Sequence, residues 1–294
     1  MSQPDIEEWY QRYRAFLEPV RRFRGLQVPG AADGQERFWA DRAYRGRLLA
    51  DLYRALQSGD KAATRAAIQS IDNAVVYALE RAGLPRGPVA DVIVASPAEE
   101  PSLQGAAGVK QPECRIMINS FRVKRAIEGL IDLDDVLRTW IHESIHARQP
   151  FSAGWSGGYG PYPGYEEGMV DGLARILVRR LTGFRVAYDH PYDNYVNAMT
   201  GFARALGMKP EDLMRRLWIQ PIGLVRAELE RVIEENIGYP LAHAHSGWFN
   251  ELYLLLSRAF ERGAQDRKAR SPVYWKLSMD RVLQGFKANP PRER

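Results

Sequence analysis

The residues in this chain best suited to chemistry are His142, Glu143 and His146, in the run WIHESIHAR over residues 140–148. Residues four apart on a helix lie one above the other. His142 and His146 would therefore direct two imidazoles at one point, supplying two of the nitrogen donors a divalent transition ion takes. Glu143 lies one step round the same helix, within reach of a water at that point, where a carboxylate serves as general base. The flanks support a helix. Val136, Leu137, Trp140, Ile141 and Ile145 recur at three- and four-residue spacing, and Asp132, Asp134 and Asp135 suit a first turn. Five residues with three fixed is a weak pattern on its own, and an amphipathic helix with structural histidines also satisfies it.

A catalytic metal site needs a third protein ligand. Downstream, residues 165–175 (YEEGMVDGLAR) begin a second helical pattern, with Met169, Val170, Leu173, Ile176, Leu177 and Leu181 as its apolar stripe and Gly183 as its stop. Glu167 and Asp171 share a face, four residues apart. Gly168 and Gly172, one step round, would let this helix approach the first closely. A carboxylate ligand and a supporting acid on one helix, opposite two histidines on another, complete a His₂Glu set.

Together these residues resemble the gluzincin-type zinc metallopeptidases, which include thermolysin-like and aminopeptidase-like enzymes. There an HExxH helix is followed about twenty residues later by a helix bearing the third ligand. The match is HESIH at 142–146 and EEGMVD at 166–171, within roughly residues 89–183. The resemblance implies Zn²⁺ on His142, His146 and a glutamate, with Glu143 as the base. It selects Glu167, which is followed by glycine and by an acid four residues on, with Glu166 as the alternative. Asp171 would orient a ligand histidine through its free ring nitrogen. Such enzymes often add a Tyr or His that stabilises the tetrahedral oxyanion; His190, Tyr192 and Tyr195 are the candidates here. Tyr159, Tyr162 and Tyr165, in or beside the Gly/Pro/aromatic stretch 149–164, are further phenols that could serve.

Composition sets the outer limits. The chain has 294 residues, 45% hydrophobic and 26% charged, with a formal charge of +5, ordinary for a globular protein. No apolar run approaches the ~20 residues needed to span a bilayer, and the start of the chain is acidic and aromatic, not a basic leader. Cys114 is the only cysteine, which rules out a disulfide within the chain. A cytoplasmic protein with no membrane association is expected. Its arginines are spread over helix faces with no binding motif beside them, so nucleic acid is not an expected partner; a peptide or protein substrate is. Cys114 with HExxH resembles peptide deformylases only superficially, because PECRIM lacks their glycine-containing motif, and Cys114 reads as a strand residue.

The elements that must position these groups follow from periodicity. Helices are expected over 5–24, 35–57 and 61–82, with 25–34 a loop, and a boundary at the Gly/Pro-rich 83–88. Val89 to Ser96 and Glu113 to Ser120 read as strands separated by a loop. Beyond Gly183, helices are expected from Tyr192 to Leu206, from Pro210, over 224–237, over 246–262 and over 271–286. His243 and His245 have no third partner nearby and read as structural or surface residues. The expectation is thus an α+β, mainly α chain, with an N-terminal helical region (1–84) and a zincin-like catalytic domain (85–294) holding a small sheet. The alternative is a non-catalytic zincin-like protein that keeps the scaffold for structure or interaction.

Overall fold

A computed structural model describes residues 31–84, 91–111, 115–149, 162–186 and 190–291. The expected helix over 5–24, Cys114 and most of the 149–164 stretch with Tyr159 lie outside the described residues.

The described chain is mainly helical, with one small sheet. Its helices are α1 (Ala31–Ala40), α2 (Arg42–Ser58), α3 (Lys61–Arg81), α4 (Ser120–Ile127), α5 (Leu133–Arg148), α6 (Gly164–Thr182), α7 (Asp193–Ala205), α8 (Pro210–Trp218), α9 (Val225–Ile237), α10 (Ser246–Phe260) and α11 (Pro272–Ala288). The strands are β1 (Val92–Ala95), β2 (Gly108–Lys110) and β3 (Ile116–Asn119), in the order β1-β3-β2. β1 runs parallel to β3 and β2 antiparallel to it. Ile116, Met117 and Ile118 are fully buried, so both faces of the central strand are covered. No described helix is long and apolar enough to cross a membrane.

α5 lies in the middle of the packing. Asp134 and every residue from Val136 to Arg148 are buried, the pattern of a helix surrounded on all sides. Its start is held in two ways. Asp132 caps it by accepting from the Asp134 amide at 2.8 Å. Buried Asp134 takes a two-pronged ion pair from buried Arg45 of α2, with Nε–Oδ1 at 2.9 Å and Nη2–Oδ2 at 3.2 Å. Near its end, the Trp218 indole of α8 donates to the Ile145 carbonyl at 3.0 Å, satisfying an acceptor in the last turn. α1–α3 share one apolar cluster with the rest: Phe38, Leu49, Ile71 and Leu79 join Ile141, Val178 and Phe202.

Several sequence expectations need correction. The helix expected over 35–57 is two helices, because Asp41 interrupts and caps α2, accepting from the Tyr44 amide at 3.0 Å. α1 begins at Ala31, inside the expected loop. The expected loop between the strands contains β2, a three-residue strand too short for alternation to reveal. α4 was not foreseen; it is eight residues long and buries only Val123, too short for its apolar spacing to stand out. Gly168 and Gly172 do permit close approach, but not to α5. A Cβ at Gly168 would lie 2.9 Å from the Tyr195 carbonyl oxygen of α7, and one at Gly172 would meet Met214 of α8.

This packing makes a paired expectation. Gly168→Ala must push α6 from the α7 backbone and should destabilise by about 1–3 kcal/mol. Gly34→Ala, in α1 with open space around it, should be neutral or stabilising by up to about 1 kcal/mol. Urea midpoints of the two variants check this, and equal shifts would contradict the packing.

Candidate metal centre

α5 carries His142 and His146 on one face, as an i, i+4 pair must, with ring centroids 4.7 Å apart. α6 brings Glu166 and Glu167 to them from its first turn, where the exposed amides and the helix dipole favour carboxylates. His142 Nε2 and His146 Nε2 are 3.1 Å apart. Glu167 Oε2 lies 3.2 Å from the first and 3.4 Å from the second. All three residues are buried and form one potential metal-holding group.

The outer nitrogens decide what faces inward. His146 Nδ1 is 2.6 Å from Glu166 Oε1. A carboxylate only accepts, so Nδ1 carries the proton and Nε2 presents its lone pair. His142 Nδ1 faces Asp171 Oδ1 at a longer 3.3 Å, a charge contact without hydrogen-bond geometry that still favours a proton on Nδ1. With both rings neutral, two lone pairs and a carboxylate oxygen converge in a buried space, an arrangement that draws positive charge, whether a metal ion or added protons. A tetrahedral ion with bonds of about 2.0–2.1 Å has ligand–ligand edges of about 3.3–3.4 Å; the observed 3.1–3.4 Å fits that size.

The electrostatics show the same pull on positive charge, which protons also answer. Burial opposes a charged His142, but the pull of Asp171 and Glu167 outweighs it and raises its pKa to about 8. His146 is likewise raised well above the usual imidazole value, against burial, by Glu167 and Glu166. Burial would raise Glu167, yet His146 and His142 hold it well below the carboxylate range. Glu143 is raised, chiefly by burial; its Oε1 lies 4.0 Å from His142 Nε2. Gly108 of β2 packs so near that a Cβ there would come within 2.9 Å of Glu143 Cγ.

Asp171 is completely buried and anionic. Burial alone would raise its pKa, but Arg138 and Arg175 hold it far below the usual range. Arg138 of α5 bonds Asp171 Oδ1, and Arg175 Nε bonds Oδ2 at 2.6 Å. Arg175 also reaches Asp193 Oδ1 at 2.5 Å and His190 Nδ1 at 3.0 Å, tying α6 to the turn that opens α7.

The three oxyanion candidates part company here. Tyr192 stacks on His142, centroids 5.6 Å apart and planes 10° apart. Its phenol is kept protonated by burial and by the field of Glu167, Glu143 and Asp171. Tyr195 stacks behind Tyr192 at 6.2 Å, but its hydroxyl bonds the Glu261 carbonyl at 3.1 Å and the Gln265 side chain. Tyr195 therefore braces Tyr192 and does not offer a free phenol. His190 sits edge-on to Tyr192 at 5.7 Å. Tyr165 packs on Phe260 at 4.4 Å and half-buried Tyr162 lies under Arg226. His243 and His245 are exposed, and His245 Nδ1 accepts from the Gly247 amide at the start of α10.

Sequence reasoning missed Glu166 as the partner of His146, and both arginines. Arg138 is four residues before His142 and Arg175 four after Asp171, so their faces were legible, but a lone arginine on a helix face gives no signal of what it pairs with. Removing Glu166 (Glu166→Ala) should weaken divalent transition-metal affinity by about 10–100-fold, and Glu167→Ala should weaken it further. Competition with a chelating dye measures both; the reverse ranking would make Glu166 the ligand. No family model, curated protein or solved structure compared with this chain matches it.

Proposed function

We propose that the protein is a zinc-dependent peptide hydrolase of the gluzincin kind, with His142, His146 and Glu167 as zinc ligands. The observation that carries this is the convergence of two imidazoles and one carboxylate at tetrahedral spacing, with a second carboxylate, Glu143, beside them and outside the ligand set. Two neutral nitrogens and one oxygen are a donor set that suits zinc. A structural site would need no such base. Bound zinc would supply Lewis acidity, polarising a carbonyl and acidifying water at about neutral pH.

The chain's own groups then divide the work. Glu143 takes a proton from the water as its oxygen bonds the carbonyl carbon, and returns that proton to the amine nitrogen as the C–N bond breaks. The Tyr192 phenol, protonated and braced by Tyr195, donates to the oxyanion. Asp171 and Glu166 hold the two imidazoles in the required tautomer. β2 is a sheet edge beside Glu143. Gln111 N–H bonds Arg115 O and Asn119 N–H bonds Ala107 O across to β3, so the alternate residue Gly108 aims its amide outward, where an extended peptide can align.

Glu143→Gln should keep zinc at one equivalent and lose at least about 100-fold in kcat on a peptide library. Tyr192→Phe should lower kcat by about 10–1,000-fold with KM little changed. Metal analysis beside steady-state kinetics checks both. Full activity in Glu143→Gln would end the mechanism, and zinc without hydrolysis in the unsubstituted protein would favour a structural site.

A further inference from the structure

We infer that Arg175 locks His190 as a neutral imidazole with its single proton on Nε2, a fixed donor for a substrate oxygen beside the metal cluster. The tautomer follows from hydrogen-bond chemistry. His190 Nδ1 is approached by Arg175 Nη2 at 3.0 Å and by the Tyr192 backbone N–H at 3.3 Å. A guanidinium and an amide N–H can only donate, and the guanidinium does not lose its proton. Nδ1 must therefore offer its lone pair, which leaves the proton on Nε2. Protonating Nδ1 would break both contacts and set a second cation against Arg175.

The surrounding acids do not reverse this. On α6, Asp171 Oδ2 is 3.9 Å from Nδ1, but Arg175 Nε already holds that oxygen and Arg138 of α5 holds the other. On α7, Asp193 receives Arg175 Nη1 and the His190 amide. On α5, Asp135 pairs with Arg122 and Arg138. Burial first, with Arg138 and Arg175 adding to it against the pull of Asp171 and Asp135, brings the imidazole down to about 4. The ring therefore stays neutral where an ordinary histidine, with a value of about 6.5, would charge.

The other nitrogen faces outward. Nε2 has no hydrogen bond among the described residues, and the side chain keeps 18% of its surface exposed. His190 sits edge-on to Tyr192, which in turn stacks on His142, so one row of rings leads from His190 to the cluster. The matching ligand chemistry is an acceptor oxygen, the carbonyl or carboxylate of a peptide. That assignment rests on the hydrolase reading; the tautomer does not.

Histidine-selective ¹⁵N labelling of the full zinc-loaded chain, with His190 assigned by its loss in His190→Asn, reads both ring nitrogens between about pH 5 and pH 8. The expected spectrum has an unprotonated Nδ1 and a protonated Nε2 throughout. In Arg175→Met the protonation midpoint should rise above about 4, while burial and Arg138 still hold it below an ordinary histidine. A protonated Nδ1, a midpoint above about 6 in the unsubstituted chain, or an unmoved midpoint in Arg175→Met would overturn the inference. If Arg175→Met does not fold, the unsubstituted spectrum alone decides. For the substrate contact, His190→Phe should lower kcat at least about tenfold with zinc content and KM held, and an unchanged kcat would overturn that part. Absence of hydrolysis in the unsubstituted protein, with the expected spectrum, would overturn the hydrolase reading and leave the tautomer standing.

Discussion

Three electron-rich atoms forced together in a dry interior are the constraint on which this structure turns. His142 Nε2, His146 Nε2 and Glu167 Oε2 stand 3.1–3.4 Å apart, and the protons of both rings are drawn outward by Asp171 and Glu166. In water such a set would fly apart. Inside the protein it persists because the helices bearing it are pinned elsewhere, so its repulsion is held as an affinity for positive charge. The raised imidazoles and depressed Glu167 are the protein's response to that demand.

The surrounding fold serves to hold two helices at that separation. α5 is gripped at its start by the buried Arg45–Asp134 pair and near its end by Trp218. α6 is let in against α7 and α8 by glycines where side chains would collide. A buried carboxylate such as Asp171 costs several kcal/mol unless paired, and breaking such a pair costs about 3–5 kcal/mol. Arg138 and Arg175 remove that cost. Arg175 then does a second service, joining Asp171 to Asp193 and His190, so the acid behind His142 and the turn bearing Tyr192 are held by one guanidinium.

Much of this was legible in the residues. The HExxH spacing and the Glu167/Asp171 pair on one face placed the cluster, because an i, i+4 relation is geometric and survives any tertiary context. Most helices were readable from apolar stripes and from stops such as Gly59 and Gly183, both left-handed. What escaped was short or non-periodic: β2, α4 and the Asp41 break. The tyrosines show the deeper reason. Tyr192 and Tyr195 are three apart and chemically identical, yet one stacks on the His142 ring and the other spends its hydroxyl on Glu261 and Gln265. That difference is set by α10 and the turn after it, some 66 residues away. No local pattern carries it.

X-ray absorption at the zinc K-edge of the zinc-loaded full chain tests the central claim most directly. The account predicts a four-coordinate ion with light N/O ligands at about 2.0–2.1 Å and the outer-shell scattering of two imidazoles, reduced to one imidazole in His146→Ala. A six-coordinate hydrated ion without imidazole scattering, or a signal unchanged in His146→Ala, would contradict it.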